Sequence, residues 1–253
     1  MNRISIVQSI IKKTCAENYL EIGVSLGHTF LTIDVKRKIG VDPKNLIMRH
    51  VFAKRDDWML EAKKAYRFIC QCLGFEKSDF YEMASDEFFR TMSHLFERRE
   101  AEVALIDGLH SYDQALRDVL NCLKHLDQNG VLVLHDCNPA TLAQAIPANS
   151  VAEAAAKKVP GWDYLWCGDV WKAIVYLRSS FADLNVFVLD CDMGVGIVTR
   201  GKMENRLLYT PEEIGKLTFQ DLDANRTRLL NLKPPAYFND FLNQLPGRLG
   251  QVR

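Results

Sequence analysis

The sequence predicts an α/β fold: a Rossmann-like, doubly wound and mostly parallel sheet with an antiparallel edge, followed by a helical C-terminal tail. Three observations predict it. Strand-like and helix-like segments alternate through about residue 180, the pattern of a parallel sheet with helices on its faces. Residues 102–107 (Glu-Val-Ala-Leu-Ile-Asp) and 131–135 (Val-Leu-Val-Leu-His) are continuous apolar runs, as expected of strands buried on both faces. The first strand-like segment breaks at Tyr19-Leu-Glu-Ile-Gly-Val-Ser-Leu-Gly27 into a glycine-containing turn that leads into a helix.

The elements follow in order. Ile4, Ile6, Val7, Ile10 and Ile11 form one face of an N-terminal helix. Strands are predicted at 18–24, 38–42 and 80–83, then at 102–107 and 131–135. Helical stretches at 57–73, 85–100 and 112–126 lie between them. Asp86 and Glu87 suit the positive end of a helix dipole, and Arg98-Arg99 suits the negative end. Asp127-Gln-Asn-Gly130 reads as a helix stop with glycine in the usual place. A helical run is expected over 141–158, then strands at 171–177, 185–189 and 195–199 as the antiparallel edge. The tail from Thr210 reads as two polar helices broken by Pro234-Pro235. No repeat or linker divides the chain, so one domain is expected over 1–253, with its core at about 15–200 and a helical extension at about 205–253.

Composition narrows the class. The 253 residues are 48% apolar and 25% charged, ordinary for a soluble globular protein. Its 32 basic and 32 acidic side chains cancel, so no net field favours nucleic acid or an anionic membrane. No run approaches a membrane span, and the N-terminus lacks a signal-peptide pattern. The 7 cysteines lack C-x-x-C pairs, which argues against a disulfide framework or structural zinc and for reduced thiols in the cytoplasm.

In an open α/β sheet, ligands bind beyond the carboxyl ends of the strands, which makes Glu21 to Gly23, Asp42, Ala84, Asp107 and Asp136 the residues of interest. A glycine turn lets a ligand approach the main chain. An acid about twenty positions later suits a ribose. The glycines Gly23 and Gly27 lack dinucleotide spacing, and no phosphate loop is present. S-adenosylmethionine has no phosphate to cradle. Leu20-Glu-Ile-Gly-Val-Ser-Leu-Gly27 with Asp42, Ile106-Asp-Gly-Leu-His-Ser-Tyr-Asp113 and Gly130-Val-Leu-Val-Leu-His-Asp-Cys-Asn-Pro139 together resemble the class I S-adenosylmethionine-dependent methyltransferases. They are similar in particular to the bacterial macrocin O-methyltransferase-like and cephalosporin-hydroxylase-like subgroup. The resemblance spans about residues 15–180.

The resemblance implies that Glu21, Gly23 and Gly27 line the methionine and ribose side of the cofactor and that Asp42 takes the ribose hydroxyls. Ser85 and Asp86 fall where the family contacts adenine, and Asp107 counts among the cofactor residues. Each has a plainer reading: Ser85 and Asp86 as a helix cap, and Asp42-Pro43 as an ordinary turn.

Asp107, His110, His135 and Asp136 fall at two neighbouring strand ends. Two carboxylates with imidazoles suit a divalent metal, and the expected set is Asp107, His135 and Asp136, with magnesium as the candidate ion. Catechol-type methyltransferases, which hold magnesium there, have Asp-Asn after the fifth strand. This chain has His135-Asp136-Cys137-Asn138, with Asn138 one residue late. Without a metal, His110 or His135 serves as general base, which makes His110, His135 and Asp107 the catalytic candidates. Structural roles for both histidines stay open.

The expected activity is O-methylation of a small molecule, a sugar or secondary metabolite. N-methylation on the same fold and a catalytically silent cofactor-binding module are the rivals. Neither nucleic acid nor membrane is an expected partner. The N-terminal helix and the aromatic loop with Trp162, Trp166, Trp171 and Asp169 leave a homo-oligomer open; that loop also suits the roof of an acceptor pocket. Lys54-Arg55-Asp56-Asp57 reads as a solvated face, and the segment between Pro43 and Phe75 is expected to carry acceptor specificity.

Overall fold

The computed structural model describes residues 1–44, 46 and 77–247. The predicted helix at 57–73, the run Lys54 to Asp57 and most of the segment between Pro43 and Phe75 lie outside the described residues.

The chain begins with helix α1 (Arg3–Thr14), capped by the side chain of Asn2 in a reciprocal pair with Ser5. Strand β1 (Asn18–Ile22) follows, then the short helix α2 (His28–Thr32) and β2 (Arg37–Asp42). The next elements are β3 (Lys77–Glu82), α3 (Ser85–Met92), β4 (Ala101–Ile106), α4 (Tyr112–Lys124) and β5 (Leu126–Leu134). After a long loop come α5 (Val151–Ala156), α6 (Trp171–Ser180), β6 (Leu184–Leu189) and β7 (Val195–Arg200). The tail holds α7 (Pro211–Lys216), α8 (Phe219–Leu230), the two-residue β8 (Leu232–Lys233) and α9 (Tyr237–Gln244).

The strands form one sheet in the order β3-β2-β1-β4-β5-β7-β6-β8. β1 to β5 pair in parallel, and β7 runs antiparallel to both β5 and β6. This is the expected mostly parallel sheet with an antiparallel edge. Alternating side chains divide between two cores. Leu20, Ile22, Ala104, Ile106, Leu132 and Leu134 pack on one face of the sheet. Tyr19, Val103, Leu105, Val131 and Val133 pack on the other. The apolar face of α1 (Ile6, Val7, Ile10, Ile11) joins this second core with Phe238 and Phe241 of α9. It therefore covers the sheet of its own chain and is not a free interface. Among the described residues, no helix is long and apolar enough to cross a membrane.

Several predicted elements differ. Residues 171–177 are a helix, not a strand; Trp171, Ala173, Ile174, Val175 and Leu177 are all buried. A helix hidden on all sides loses its periodic pattern, so the apolar run imitates a strand. The helix expected over 141–158 shrinks to α5, because Pro147 interrupts it and Ser150 restarts it by capping Glu153 N–H at 3.1 Å. Gly130 is inside β5 and ends no helix; α4 stops at Lys124. There the Asp127 carboxylate accepts from Asn129 N–H at 2.7 Å, and a Cβ on Gly130 would meet Leu126 Cγ at 2.7 Å. The glycine allows the strand to fold closely over its own bulge. α3 ends at Met92 and passes into a 3-10 turn at Ser93–Phe96, so Arg98 and Arg99 lie beyond it. Among the described residues the tail has three helices, and Pro234-Pro235 separates β8 from α9 rather than splitting a helix.

Candidate active site

The carboxyl ends of β1 to β5 open on a cavity of about 780 Å³. Glu21, Gly23, Asp42, Ser85, Asp107, His110, His135 and Asp136 all line it. Gly27 and Asp86 do not. Gly27 caps α2 with φ 80°, and its N–H donates to Val24 O at 2.8 Å. Asp86 is exposed and pairs with Arg117 at 3.3 Å. The N-cap of α3 is Ala84, which makes no side-chain cap bond, so Ser85 and Asp86 do not fill the N-cap position.

Gly23 has φ +87°, and a Cβ there would stand 2.1 Å from Asp107 O. The turn after β1 thus packs directly on the end of β4, where Asp107 N–H donates to Ile22 O at 2.8 Å. Sequence reasoning assigned that glycine to ligand approach; the contact that forbids a side chain is the protein's own backbone. Asp42 is held by N–H donation from Ser25 and Lys44, each at 2.8 Å. It is a turn residue, and its carboxylate is also fixed on the cavity wall.

Glu21 is buried and accepts from Tyr19 Oη at 2.5 Å. Burial raises its pKa to about 8 from 4.5, aided by Asp107 and opposed by the Tyr19 hydrogen bond and the Lys38 charge. A carboxyl raised on folding adds stability that is complete below about 4.5 and is lost as pH rises through about 8. Wild-type protein is therefore expected to lose stability relative to Glu21→Gln across that window. Urea midpoints of both proteins from pH 5 to 9 check this; parallel pH profiles would refute it.

At the far end, Asp107, His110 and Asp136 each bring one ligand atom within 4.8 Å of the others. His110 Nε2 is 3.1 Å from Asp136 Oδ2, and its Nδ1 donates to Trp166 O at 2.6 Å. His135 is nearly fully buried, with Nδ1 3.2 Å from Asp107 Oδ1 and 3.0 Å from Asp136 Oδ2. Its Nε2 faces Arg3 Nη1 at 3.2 Å and Asp192 Oδ2 at 3.5 Å. Asp136 sits at φ 62°, and its Oδ1 is buried without a hydrogen-bond partner. Such an orphan acceptor fits a cation. That group contains His110, and His135 of the expected set stands beside the same two carboxylates. Asn138 does not contribute, because it donates to Asp190 at 3.0 Å and accepts from Arg226 at 2.6 Å.

Electrostatics bind this cluster together. Burial pushes Asp107 up, but hydrogen bonds from His110 and His135 and the Arg3 charge outweigh it, holding the carboxyl well below its usual range. Asp192 is lowered by its hydrogen bond with His135. Burial alone would lower both imidazoles, yet Asp107 and Asp136 raise each above its ordinary value. Every ring nitrogen of the two histidines already faces a protein group.

Sequence reasoning missed Arg3, Asp118, Gln114 and Asp192. Arg3 reaches the site from the first turn of α1, 3.2 Å from Asp107 and 3.2 Å from Asp192. Asp118 and Gln114 are one helical turn apart on α4, a spacing on one face that was legible, but nothing in the pattern aimed it at the cavity. Trp166 stacks near His110, with ring centroids 5.0 Å apart, whereas Trp171 is core. Asp169 does not reach this cavity; it caps α4 through Tyr112 N–H at 2.8 Å.

Residues 20–137 match a family described as a methyltransferase domain. No curated protein matches the chain. The fold is similar to that of an S-adenosylhomocysteine-bound methyltransferase from Podospora anserina, with 15% identity, 78% of this chain and 76% of that one covered, and a TM-score of 0.51. It is also similar to an O-methyltransferase from Bacillus cereus in complex with S-adenosylhomocysteine, with 11% identity, 78% and 80% covered, and a TM-score of 0.50. Residues 20–137 thus carry a match to a methyltransferase domain, and the sheet around them has the fold of the methyltransferases of known structure.

Proposed function

We propose that the protein transfers the methyl group of S-adenosylmethionine to a hydroxyl of a small molecule, at a divalent-cation site made by Asp107, His110 and Asp136. One observation carries the reading: three ligand atoms lie within 4.8 Å of one another at the cavity end, beside a buried Asp136 oxygen that no protein group satisfies. The His110 Nδ1–H bond to Trp166 O is the kind of outer contact that aims the other ring nitrogen of a metal-binding histidine. An imidazole in the set favours a first-row ion such as manganese over magnesium, which prefers oxygen ligands. A bound divalent ion favours the deprotonated form of an acceptor hydroxyl.

The chain's own groups supply the rest. Glu21, Gly23, Asp42 and Ser85 line the wall that takes the cofactor, and Asp107 ends the row beside the reacting carbon. Positioning does most of the work, since methyl transfer needs the oxygen, methyl carbon and sulfonium in line. The carbon–sulfur bond breaks as the oxygen–carbon bond forms, leaving S-adenosylhomocysteine and a released hydroxyl proton. The acceptor is a small molecule, either a sugar or a secondary metabolite.

Thermal unfolding with S-adenosylhomocysteine, with and without manganese or magnesium, tests the reading. A rise with the nucleoside and a further rise with the metal, abolished by chelator, is the expected result. Stabilisation by S-adenosylhomocysteine with no metal increment, together with full turnover in chelator, would remove the cation from the proposal.

A further inference from the structure

We propose that Arg226, in the C-terminal extension, is a positioning residue of the active site: it clamps the loop after β5 and so holds Asp136 in place. The inference rests on the reading that Asp136 acts in the transfer, and Arg226 lies outside the matched residues 20–137. Asp136 is the point where the chain leaves the sheet. Just before it, His135 N–H still donates to Ile106 O of β4 at 3.0 Å. Asp136 itself has φ 62°, a left-handed angle that a residue with a Cβ keeps only where its surroundings fix it. The direction of its carboxylate therefore depends on what fixes the chain after it.

Two sets of contacts do so. The first comes from the β6–β7 turn, which has a left-handed run of its own at Asp192 (φ 48°), Met193 (φ 59°) and Gly194 (φ 88°). Its carbonyls accept from the loop: Cys137 N–H donates to Gly194 O at 3.0 Å, and Asn138 N–H to Met193 O at 2.8 Å. The second comes from Arg226. Its Nη1 spends both protons on the loop, donating to Asn138 Oδ1 at 2.6 Å and to Pro139 O at 2.7 Å. Its Nη2 donates to Asp223 Oδ1 at 2.8 Å, and the guanidinium carbon stands 5.7 Å from the centre of the Phe219 ring. The planar fork is thus held on its own helix. Asn138 passes the clamp on, because its Nδ2 donates to Asp190 Oδ1 at 3.0 Å, where the β6–β7 turn begins. That amide can face only one way, since a guanidinium only donates and a carboxylate only accepts. Helix α8 is broken directly before Arg226, at Asn225 (φ −133°, ψ 24°), whose Nδ2 donates to Asp221 O at 3.2 Å. Arg226 therefore fastens the loop to the tail and, through Asn138, to the turn that carries Asp192.

Arg226→Met keeps the apolar stem and removes the donors. Hydrogen exchange at the Cys137 and Asn138 amides, with calorimetric titration of manganese ion and of S-adenosylhomocysteine, compares it with wild type. Both amides are expected to exchange about tenfold faster or more, because their local opening is no longer resisted. Manganese should bind about tenfold or more weakly, the usual effect of losing a contact that orients a metal ligand. The affinity for S-adenosylhomocysteine should stay within about twofold, since the wall formed by Glu21, Gly23 and Asp42 is untouched. Thr218→Ala is the control for stability alone. It removes the side chain that caps α8 by accepting from Asp221 N–H, so its urea midpoint should fall while loop exchange and manganese affinity stay as in wild type. Asn138→Ala breaks the clamp from the loop side; it should reproduce the losses of Arg226→Met and gives the answer if that variant fails to fold. Unchanged exchange, a manganese affinity that survives the substitution, or an equal loss in Thr218→Ala would make Arg226 a plain tail anchor and overturn the proposal. A wild type that takes up S-adenosylhomocysteine but no manganese would sink the cation reading instead, and exchange in Arg226→Met then decides whether Arg226 holds the loop.

Discussion

Asp136→Asn is expected to abolish methyl transfer while leaving a folded protein that still binds S-adenosylhomocysteine. Asparagine is the informative replacement because Asp136 occupies the left-handed region at φ 62°, which asparagine tolerates better than alanine. The substitution keeps the shape and removes one charge from a cluster of three carboxylates, Asp107, Asp136 and Asp192. A divalent site that loses one of two anionic ligands forfeits several kcal/mol of charge stabilisation, so kcat is expected to fall by about a thousandfold or more. Asp107→Asn should do the same. Titration calorimetry with S-adenosylhomocysteine should give affinities within a few-fold of wild type, and unfolding midpoints should fall modestly, because the carboxylate pairs with His110 and His135. Turnover within tenfold of wild type in both variants would sink the assignment of these carboxylates to the reaction.

The second large effect is expected at Gly23. Gly23→Ala places a methyl group 2.1 Å from Asp107 O and 2.4 Å from Asp107 C at a backbone angle of φ +87°. The left-handed angle costs about 1–2 kcal/mol, and backbone displacement adds about 1–3 kcal/mol. A loss of about 2–5 kcal/mol is expected, a large share of a typical domain's stability. Gly108→Ala is the control. It is next to the same contact, yet its added Cβ would find its nearest atom at 3.7 Å, an ordinary van der Waals distance. Paired urea denaturation curves should show a collapse in midpoint for Gly23→Ala and little change for Gly108→Ala. Because Gly23 sets the approach of β1 to β4, any folded Gly23→Ala protein should also show weakened transfer through a displaced Asp107.

Both expectations start from residues that were already visible in the sequence, though not for the right reason in each case. The turn at Glu21 to Gly27, the apolar runs of β4 and β5 and the acids at their ends identified the sheet, because parallel strands buried on both faces must be continuously apolar. The same logic failed at 171–177. Burial erases the difference between a strand and a fully enclosed helix, and only the packing of α6 behind the sheet separates them. Local turn chemistry misled at Gly130 for a similar reason. A glycine that follows Asp-Gln-Asn ends a helix in most settings, but here it relieves a strand bulge.

The sequence by itself determined the fold class, which depends on periodicity, and its resemblance to the methyltransferases pointed to the cofactor and to the two strand ends proposed for the reaction. Only the tertiary structure decided which groups meet there. Arg3 joins the cluster from the first helical turn and Asp192 from the β6–β7 loop, and His110 reaches the same two carboxylates as His135. Those choices follow from the crossing of distant segments at one sheet edge and from the direction of individual donors and lone pairs. Hydrophobic patterning carries neither kind of information, because it records which side of an element is buried and not what that side faces.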